Sequence, residues 1–386
     1  MSETISQARA FLATSQPDKA LEILSPHIES NSTSPEFLSI LGETLLENNQ
    51  LEEAYQVLTT ACQLDPEAQQ GTEKFLYLGQ IIGGQDGLNY INTGLNKLND
   101  QLAEIGNENV VMEAEAGKDK SLQWIINKLN QGIFASIEIW MTDLCMEEEA
   151  ESKCNELIQY SLSVDATNPE TYSQLSSIRI SQQKNDEAIE ALNRAWDLFQ
   201  DKKTQLEDFA NSKKSQQDAA DDVFEVGMEY VELIQPLITL SKLAIELERY
   251  DTAIDIVSHV QDINDSILDA YYIEAIANLF KAKEIYASLH PQLEGDYRDV
   301  EIAQLQKSSN NDSNEEIAAL IADARSNLTS GFKIINSELV DECDLSVVDQ
   351  VNELLSSLGG PLMSELLPKR EKDDDVDWEN EIDYEE

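Results

Sequence analysis

The stretch from Pro35 to Pro66 constrains the fold most, because it carries two helical patterns separated by a polar break at residues 48–50. Small residues at fixed positions let two antiparallel helices approach closely, and leucines fill the space between them. We therefore predict a helix–turn–helix unit that Pro66 closes. Its packing positions are Leu38, Leu41, Gly42 and Leu45 in the first helix and Ala54, Leu58 and Ala61 in the second.

The same pattern recurs at intervals of 34 residues elsewhere in the chain. The segment Ala20–Leu24 precedes Ala54–Leu58 by that interval, and a second, independent register relates Cys154–Ser161 to Ala188–Ala195. A unit of about 34 residues with these small and apolar positions resembles the tetratricopeptide repeat. The resemblance implies an all-α, right-handed superhelical solenoid of about six to seven helix pairs, with each pair packed on its neighbours.

Polar stretches interrupt the repeats and set the expected domain boundaries. We expect a solenoid over residues 1–360, with insertions near 104–120, 200–230 and 285–314 and a C-terminal capping helix over 345–358. The third repeat is short, since Gly79 and Gly87 are 8 residues apart where Gly42 and Ala54 are 12 apart. That spacing predicts a missing helical turn or a tight bend. Residues 361–386 form a highly acidic tail, which we expect to be disordered.

The chain is strongly acidic, with 75 Asp and Glu against 26 Lys and Arg and a formal net charge of −49. Such a surface repels phosphate backbones and anionic lipids, which argues against direct binding of nucleic acid or membrane. It attracts a basic partner and speeds the encounter with it. Acidity by itself is explained equally well by solubility. No signal peptide or membrane-length apolar run is visible, so we expect a soluble, intracellular protein.

Motifs of enzymes and metal sites are absent from the sequence. It contains no P-loop, no dinucleotide-binding fingerprint and no zinc-protease motif. The three histidines are scattered, and the acidic run at 373–377 lacks the glycine that a calcium loop requires. We therefore predict a binding protein without catalytic activity, cofactor, metal ion or small-molecule substrate.

Stacked repeats of this type expose a concave groove, which one face of each first helix lines. Carboxylates mixed with apolar surface would suit an extended segment rich in Lys and Arg. Any one glutamate could simply be solvated, and Tyr272 could lie in a core between repeats, so the pattern across repeats carries this prediction. The groove positions of the template are Glu36, Glu43, Glu47, Asp143, Glu147, Glu170, Glu246, Asp269 and Tyr272. Lys242 is the main basic exception, which argues against a clamp for acidic C-termini.

The tail offers a second possible site for a basic partner. Trp378 and Tyr384 stand among carboxylates, and their rings could stack on arginines while the acids supply charge. A tail that only keeps the protein soluble explains the same residues.

As a whole, the chain resembles the fungal tetratricopeptide chaperones that escort newly made large-subunit ribosomal protein four. The resemblance rests on the repeat segments 35–58 and 168–195 and on the tail segment 377–386. It implies a function in ribosome biogenesis, namely capture of a basic ribosomal protein in the groove, protection from aggregation and delivery to the large subunit. It also implies residence in both cytoplasm and nucleus.

Two other classes of binding protein fit the same residues. An acidic histone chaperone would bind histones in competition with DNA. A repeat scaffold within a larger complex would depend on apolar anchors in the groove, and its binding would survive high salt.

Overall fold

The computed structural model describes residues 2–14, 16–106, 115–213, 220–293, 295–309 and 315–366, and all regular secondary structure in these ranges is helical. The all-α helical-repeat fold predicted from the sequence is confirmed. The chain divides into two compact units, Met1–Glu232 (unit 1) and Leu233–Glu386 (unit 2). Within the described ranges, no helix has both the length and the apolar character that a membrane span needs.

The pair α3 (Pro35–Glu47) and α4 (Leu51–Leu64) shows how the repeat pattern produces a helical hairpin. The Ser34 side chain accepts a hydrogen bond from the Phe37 N–H, and Pro35 occupies the first turn, where its missing N–H costs nothing. Packing requires glycine at position 42, because a Cβ there would overlap the Leu58 side chain. All seven packing positions predicted for this repeat are buried.

The remaining helices of unit 1 follow in order along the chain. They are α1 (Ser2–Ala13), α2 (Pro17–Leu24), α5 (Glu73–Ile82), α6 (Gly84–Gly106), α7 (Glu115–Met141), α8 (Ala150–Val164), α9 (Pro169–Ser181), α10 (Asn185–Lys213) and α11 (Ala220–Val231). The α3–α4, α5–α6, α7–α8 and α9–α10 pairs pack as neighbours, so the first helices α3, α5, α7 and α9 stand at corresponding places in successive repeats.

The third repeat combines both explanations for its short spacing. Helix α5 has 10 residues where α3 has 13, and Gly83 alone separates α5 from α6. Gly83 has a φ of 67°, a conformation that glycine adopts without a steric penalty. Close approach continues beyond the bend, because a Cβ on Gly79 would overlap Ile91 and the main-chain oxygen of Gly87.

A buried ion pair joins the second and third repeats. The Nζ of Lys74, a residue with no exposed surface, lies 2.8 Å from the Asp65 carboxylate and donates to the carbonyl oxygens of Gln70 and Gly71. Main-chain N–H groups of Gln69 and Gln70 donate to the same carboxylate. Both charges are therefore fully hydrogen-bonded, the condition under which a buried ion pair is tolerated.

Unit 2 begins with another repeat and then adds longer helices. It comprises α12 (Ile234–Glu246), α13 (Tyr250–Ile263), α14 (Leu268–Leu289), α15 (Ile302–Ser309), α16 (Glu315–Ile335), α17 (Leu345–Ser357) and α18 (Met363–Leu366). Helices α14, α16 and α17 share one apolar core. Its buried members include Leu268, Ala275, Leu279, Leu328, Val351 and Leu355. Helix α17 coincides with the capping helix expected over 345–358.

All three expected insertions contain helical residues, and the range 104–120 includes the end of α6 and the start of α7. Among the described residues, the range 200–230 contains the end of α10 and most of α11, and the range 285–314 contains the end of α14, a short 3-10 turn at Tyr297–Asp299 and part of the chain up to the end of α15. Between α6 and α7, residues 107–114 lie outside the described residues, as do residues 367–386 of the expected tail.

Candidate partner-binding groove

Unit 1 presents a groove lined by its first helices. A cavity of about 420 Å³ lies against α3, α5, α7 and α9, and a second of about 750 Å³ lies against α7, α9 and α10. Gln131, Phe134 and Glu170 line both cavities, so the two are continuous. Together they are the unit 1 groove, which has the dimensions of a site for a segment of chain rather than for a single ion.

Carboxylates dominate the lining of the unit 1 groove. Its acidic residues are Glu47, Glu73, Glu138, Asp165, Glu170, Asp201 and Glu232, and its basic residues are Lys128, Arg194 and Lys202. Two of these cations contact other side chains of unit 1. Lys128 Nζ donates to Gln131 Oε1 at 3.1 Å, and the Arg194 guanidinium lies 5.9 Å from the centre of the Tyr172 ring. The groove therefore keeps an excess of negative charge.

One half-buried carboxylate adjoins the groove through a side chain of its lining. Tyr77, which lines the smaller cavity, donates a hydrogen bond of 2.9 Å from its hydroxyl to Glu43 Oε1. Burial raises the pKa of Glu43 above its ordinary value, and the hydrogen bond from Tyr77 opposes this shift only in part. Burial and then the adjacent Glu43 charge raise the pKa of Tyr77. A nearby cation would relieve the cost of keeping Glu43 ionised.

Glu170 stands where the two cavities meet. The Asn168 side chain accepts from the Glu170 main-chain N–H at 2.8 Å and caps α9, which begins at Pro169. Burial raises the pKa of the Glu170 carboxyl, and the charge of Lys202 opposes that shift without forming an ion pair with it. Among the described residues, no side chain donates a hydrogen bond to the Glu170 carboxylate.

The structure brings together part of the predicted groove set of unit 1. Glu47 and Glu170 line the groove, and Glu43 adjoins it through Tyr77. Glu36 is exposed on the first turn of α3 and lines neither cavity. Placement in the groove is a structural result, whereas partner binding by these residues stays a prediction.

Asp143 and Glu147 lie away from the groove. Asp143 Oδ2 accepts a hydrogen bond of 2.7 Å from the Gly84 N–H, so this carboxylate stabilises the bend between α5 and α6. Glu147 is exposed in the connection between α7 and α8. The cause is the length of that connection, since residues 142–149 separate α7 from α8 whereas only residues 48–50 separate α3 from α4.

The longer connection shifts the groove face of α7 by five residues towards its N-terminus. Gln131, Phe134 and Glu138 occupy the groove at the places where the repeat template puts residues 136, 139 and 143. Template counting from the second helix missed them, together with Tyr77 and Lys128. Gln131, Phe134 and Glu138 are 3 and 4 residues apart, the spacing of one helical face, and this was the sequence signal that could have grouped them.

Unit 2 places its predicted residues in a different setting. Glu246 is exposed at the end of α12. Lys242 Nζ lies 3.1 Å from Asp269 Oδ1 and partly neutralises that carboxylate. Tyr272 packs against the core shared by α14, α16 and α17, and burial followed by the charge of Glu353 raises its pKa. The sequence left open whether Tyr272 lies in the groove or in a core, and the structure places it against this core.

The proposed sites of the tail, Trp378 and Tyr384, lie outside the described residues. Within the described ranges, no group of three or more His, Cys, Asp or Glu side chains could hold a metal ion. The groove carboxylates are thus spread along a surface and not gathered around one point.

Comparison with known proteins adds two family matches. Residues 266–377 match the ACL4 C-terminal domain, which includes α14 to α18, and residues 35–67 match the tetratricopeptide repeat. The second match coincides with the α3–α4 hairpin and its closing proline.

Similar proteins are found among fungal sequences and solved structures. A "probable assembly chaperone of rpl4" from Schizosaccharomyces pombe is 29% identical over 82% of this chain and 76% of its own length. A protein of the same description from Emericella nidulans is 32% identical over 51% of this chain and 49% of its own length. The solved structure of an assembly chaperone of RpL4 (Acl4), residues 1–338, superposes with a TM-score of 0.58 at 22% identity and covers 74% of this chain and 99% of that one. These matches are to a repeat family and to proteins described as chaperones, not to an enzyme class.

Proposed function

We propose that this chain, a tetratricopeptide-repeat protein that resembles the assembly chaperones of ribosomal protein four, binds a newly made and highly basic ribosomal protein and delivers it to the nascent large subunit. Ribosomal protein four is the suspected client, because both fungal relatives carry it in their descriptions. The unit 1 groove is the proposed place of capture.

The observation that carries this proposal is the excess of carboxylates along the unit 1 groove. Seven acidic side chains line it against three basic ones, and Glu170 is half-buried without a donor among the described residues. Burying a carboxylate away from water costs free energy unless a cation or hydrogen-bond donors replace the water. A client segment rich in Lys and Arg supplies both, and its charge-assisted hydrogen bonds are stronger than those between neutral groups.

The same electrostatics provide a route for release. Basic extensions of ribosomal proteins bind the phosphates of ribosomal RNA, whose charge density exceeds that of a row of glutamates on helices. Complexes held by charge form quickly and are displaced by a more highly charged competitor. We place capture in the cytoplasm and release in the nucleus, where the large subunit is assembled.

The first test is purification of the tagged full-length protein at moderate salt, with mass spectrometry of the proteins that copurify. We expect ribosomal protein four in near-equal amount, and partial loss of it in a high-salt wash because salt screens exposed charge pairs. Copurification of histones would overturn the proposal in favour of a histone chaperone. A set of neutral or acidic subunits that survives the high-salt wash would overturn it in favour of a scaffold.

The matched measurement uses a variant of the groove. Glu170→Gln removes one half-buried charge without changing the side-chain volume, and Glu190→Gln removes one exposed charge on α10 that lines neither cavity. We expect the first variant to copurify less ribosomal protein four than wild type and the second to match wild type. Equal yields from both variants would mean that net acidity, and not the groove, holds the client.

A further inference from the structure

Helix α7 lines a further cavity on the side opposite the unit 1 groove. Successive residues of an α-helix are about 100° apart, so Trp140 projects about 200° away from Glu138, which lines the groove. Ser136 is four residues before Trp140 and shares that opposite face. Both line a cavity of about 430 Å³ with walls from α6 and α8, which we call the outer notch. Its other lining residues are Gln85, Leu88, Asn92, Glu149, Lys153, Glu156, Leu157 and Tyr160.

The walls of the outer notch are faces of two helices. The α6 wall runs from Gln85 to Asn92 and the α8 wall from Lys153 to Tyr160, each with members at intervals of three and four residues. Seven residues of helix are about 10 Å long, so the notch spans about two helical turns. A space of this size suits a side chain of a partner and the backbone next to it, not a folded domain.

An aromatic ring lies at the α7 side of the outer notch. Trp140 packs against the buried core around α7, yet it keeps part of its surface exposed. It also lines a neighbouring cavity of about 300 Å³, so the ring stands between two open spaces. No cation among the described residues lies over this ring. Tryptophan is among the residues that contribute most to protein–protein affinity, which makes Trp140 a candidate anchor for a partner.

The charges beside Trp140 favour a cation. Glu149 forms no ion pair among the described residues, whereas Glu156 Oε2 accepts from Lys153 Nζ at 3.0 Å in an exposed pair. Every glutamate of the segment 147–151 is exposed, so several negative charges flank this end of the notch. An anionic ligand is repelled here, and a cationic one is attracted.

Arginine fits the lining better than lysine. Its planar guanidinium stacks on an indole ring and donates two parallel N–H groups to a carboxylate, while its aliphatic stem packs on apolar side chains. The outer notch supplies these three partners in Trp140, Glu149 and Leu157. The side-chain amides of Gln85 and Asn92 offer further acceptors. An ammonium group is more strongly hydrated and has no planar face to stack.

We propose that the outer notch binds an arginine side chain of a second protein partner, with the guanidinium between the Trp140 ring and the Glu149 carboxylate. A side chain that enters the notch approaches α7 from the side away from the groove, so the notch stays open when the groove is filled. The site therefore goes beyond the proposed function and needs no client in the groove. Opposite faces of one helix then hold two partners at once.

Fluorine NMR of the full-length protein labelled with 5-fluorotryptophan tests the site. The chain has four tryptophans, and the variants Trp140→Phe and Trp124→Phe assign two of the signals. The probe is a blocked five-residue peptide with one arginine between glycines. We expect it to shift the Trp140 signal and to leave unchanged that of Trp124, an exposed residue of α7 that lines neither the notch nor the groove.

Two related peptides test the chemistry of recognition. Lysine in place of arginine should weaken binding at the Trp140 signal by about threefold or more, because the stacked guanidinium is lost. Citrulline, a neutral analogue of arginine with the same length, should weaken it at least as much. An unchanged Trp140 signal with the arginine peptide, or equal binding of the citrulline peptide, would overturn the proposal.

A matched pair of variants separates the contact with Glu149 from general acidity. Glu149→Gln should weaken binding of the arginine peptide by about threefold, within the range of one exposed charge pair. Glu148→Gln removes the same charge one residue away, outside the lining, and should bind almost as tightly as wild type. Equal losses from the two variants would show that net charge alone attracts the peptide, and the proposed contact would be wrong.

Titration with and without the client distinguishes a second partner from the client itself. The arginine peptide is added to the protein alone and to its copurified complex with ribosomal protein four. Equal responses of the Trp140 signal would support separate sites on opposite faces of α7. Loss of the response in the complex would show that the client occupies the outer notch, and the second partner would be wrong. If no complex copurifies, the proposed function fails, and the titration of the protein alone decides this site.

Discussion

Residues at equivalent positions of the repeat lie in an open groove in unit 1 but are paired or packed against a core in unit 2. In unit 1, the first helices leave their inner faces open as a groove in which Glu47 and Glu170 lack cationic partners among the described residues. In unit 2, Lys242 pairs with Asp269, and Tyr272 packs against a core that α16 and α17 share with α14. A repeat pattern therefore identifies an inner face, but the rest of the chain decides whether that face stays open for a partner.

The units also differ in how they hold their charges. Unit 1 buries the Lys74–Asp65 ion pair between two repeats, with side chains 0% and 6% exposed. Unit 2 pairs Lys281 with Asp251, whose side chain is 81% exposed. A buried pair costs much more to break than an exposed one, because the remaining charge stays without water. The scaffold beneath the groove is thus more sensitive to loss of a lysine than the scaffold of unit 2.

The largest effect is expected from Lys74→Met. This change leaves the Asp65 carboxylate buried without its cation and should lower the free energy of unfolding of unit 1 by about 3–5 kcal/mol. The matched change in unit 2, Lys281→Met, should cost at most about 1 kcal/mol. Urea unfolding followed by hydrogen exchange of peptides from each unit measures both. Similar losses of stability from the two variants would contradict the expectation that unit 1 is more sensitive to loss of a lysine than unit 2.

The pH dependence of the first variant gives an independent check. Burial raises the pKa of Asp65, but the hydrogen bonds from Lys74 and from two main-chain N–H groups outweigh it and hold that pKa below its ordinary value. A lowered carboxyl pKa contributes stability that is present at neutral pH and is lost as the pH falls. The difference between wild type and Lys74→Met should therefore shrink on acidification. A difference independent of pH would show that lost packing, and not charge, destabilises the variant.

A smaller effect is expected from Gly79→Ala. A Cβ at this position would overlap Ile91 and the fixed main-chain oxygen of Gly87, so unit 1 should lose about 1–3 kcal/mol of stability. In unit 2, a Cβ on Gly331 would come closest to the end of the Leu268 side chain, at 3.0 Å, which can move, and its other contacts are at ordinary van der Waals distance. We expect Gly331→Ala to stay within about 1 kcal/mol of wild type, since alanine also favours helix. Thermal unfolding of both variants makes the comparison, and an unaffected Gly79→Ala would contradict the close approach of α5 and α6.

The next effect in size is expected on the affinity for the client. The double variant Glu47→Gln/Glu138→Gln neutralises two exposed carboxylates of the unit 1 groove, and we expect threefold to tenfold weaker binding of ribosomal protein four, with about 0–1 kcal/mol from each charge. The control, Glu246→Gln/Asp255→Asn, makes the same charge change on exposed residues of unit 2. Titration calorimetry at two salt concentrations compares them. Equal losses would show that both units, or only the net charge, attract the client.

The repeat register could be predicted from the sequence because it is fixed by steric requirements. Two helices approach closely only where small residues meet, so Gly42, Ala54, Ala188 and Ala253 each mark a buried contact wherever the interval is kept. Helix–helix packing and the all-α class follow from such positions alone.

The groove could be predicted only in part, because its positions depend on connections of variable length. Glu170 follows directly from the start of its repeat, and it lines the groove. On α7, the eight-residue connection to α8 moves Phe134 and Glu138 into the groove and leaves Asp143 at a helix bend. Nor does local spacing reveal that α16 and α17, which follow α14 far along the chain, share its core around Tyr272.

Acidification should weaken client binding in unit 1 before it affects exposed carboxylates. Burial raises the pKa values of Glu43 and Glu170, so these groups take up protons at a higher pH than an ordinary glutamate. Between neutral pH and about pH 5, we expect wild-type affinity to fall by about threefold, and the Glu170→Gln variant to show a smaller fall. Binding titrations across this range test the expectation. Parallel pH profiles would mean that Glu170 is not the group that titrates.

The smallest effect is expected from Lys242→Met, which addresses the closed inner face of unit 2. The lysine is 58% exposed, so loss of its pair with Asp269 should change stability by about 0.5 kcal/mol or less. Freed from Lys242, Asp269 would attract a basic client if this face took part in capture. Because Tyr272 packs beside it against the shared core, we expect client affinity to stay within about twofold of wild type. Calorimetric titration beside Lys153→Met, an exposed control on α8 of unit 1, measures the change. A clear gain in affinity for Lys242→Met alone would show that the inner face of unit 2 also binds the client, and the contrast between an open and a closed unit would then be wrong.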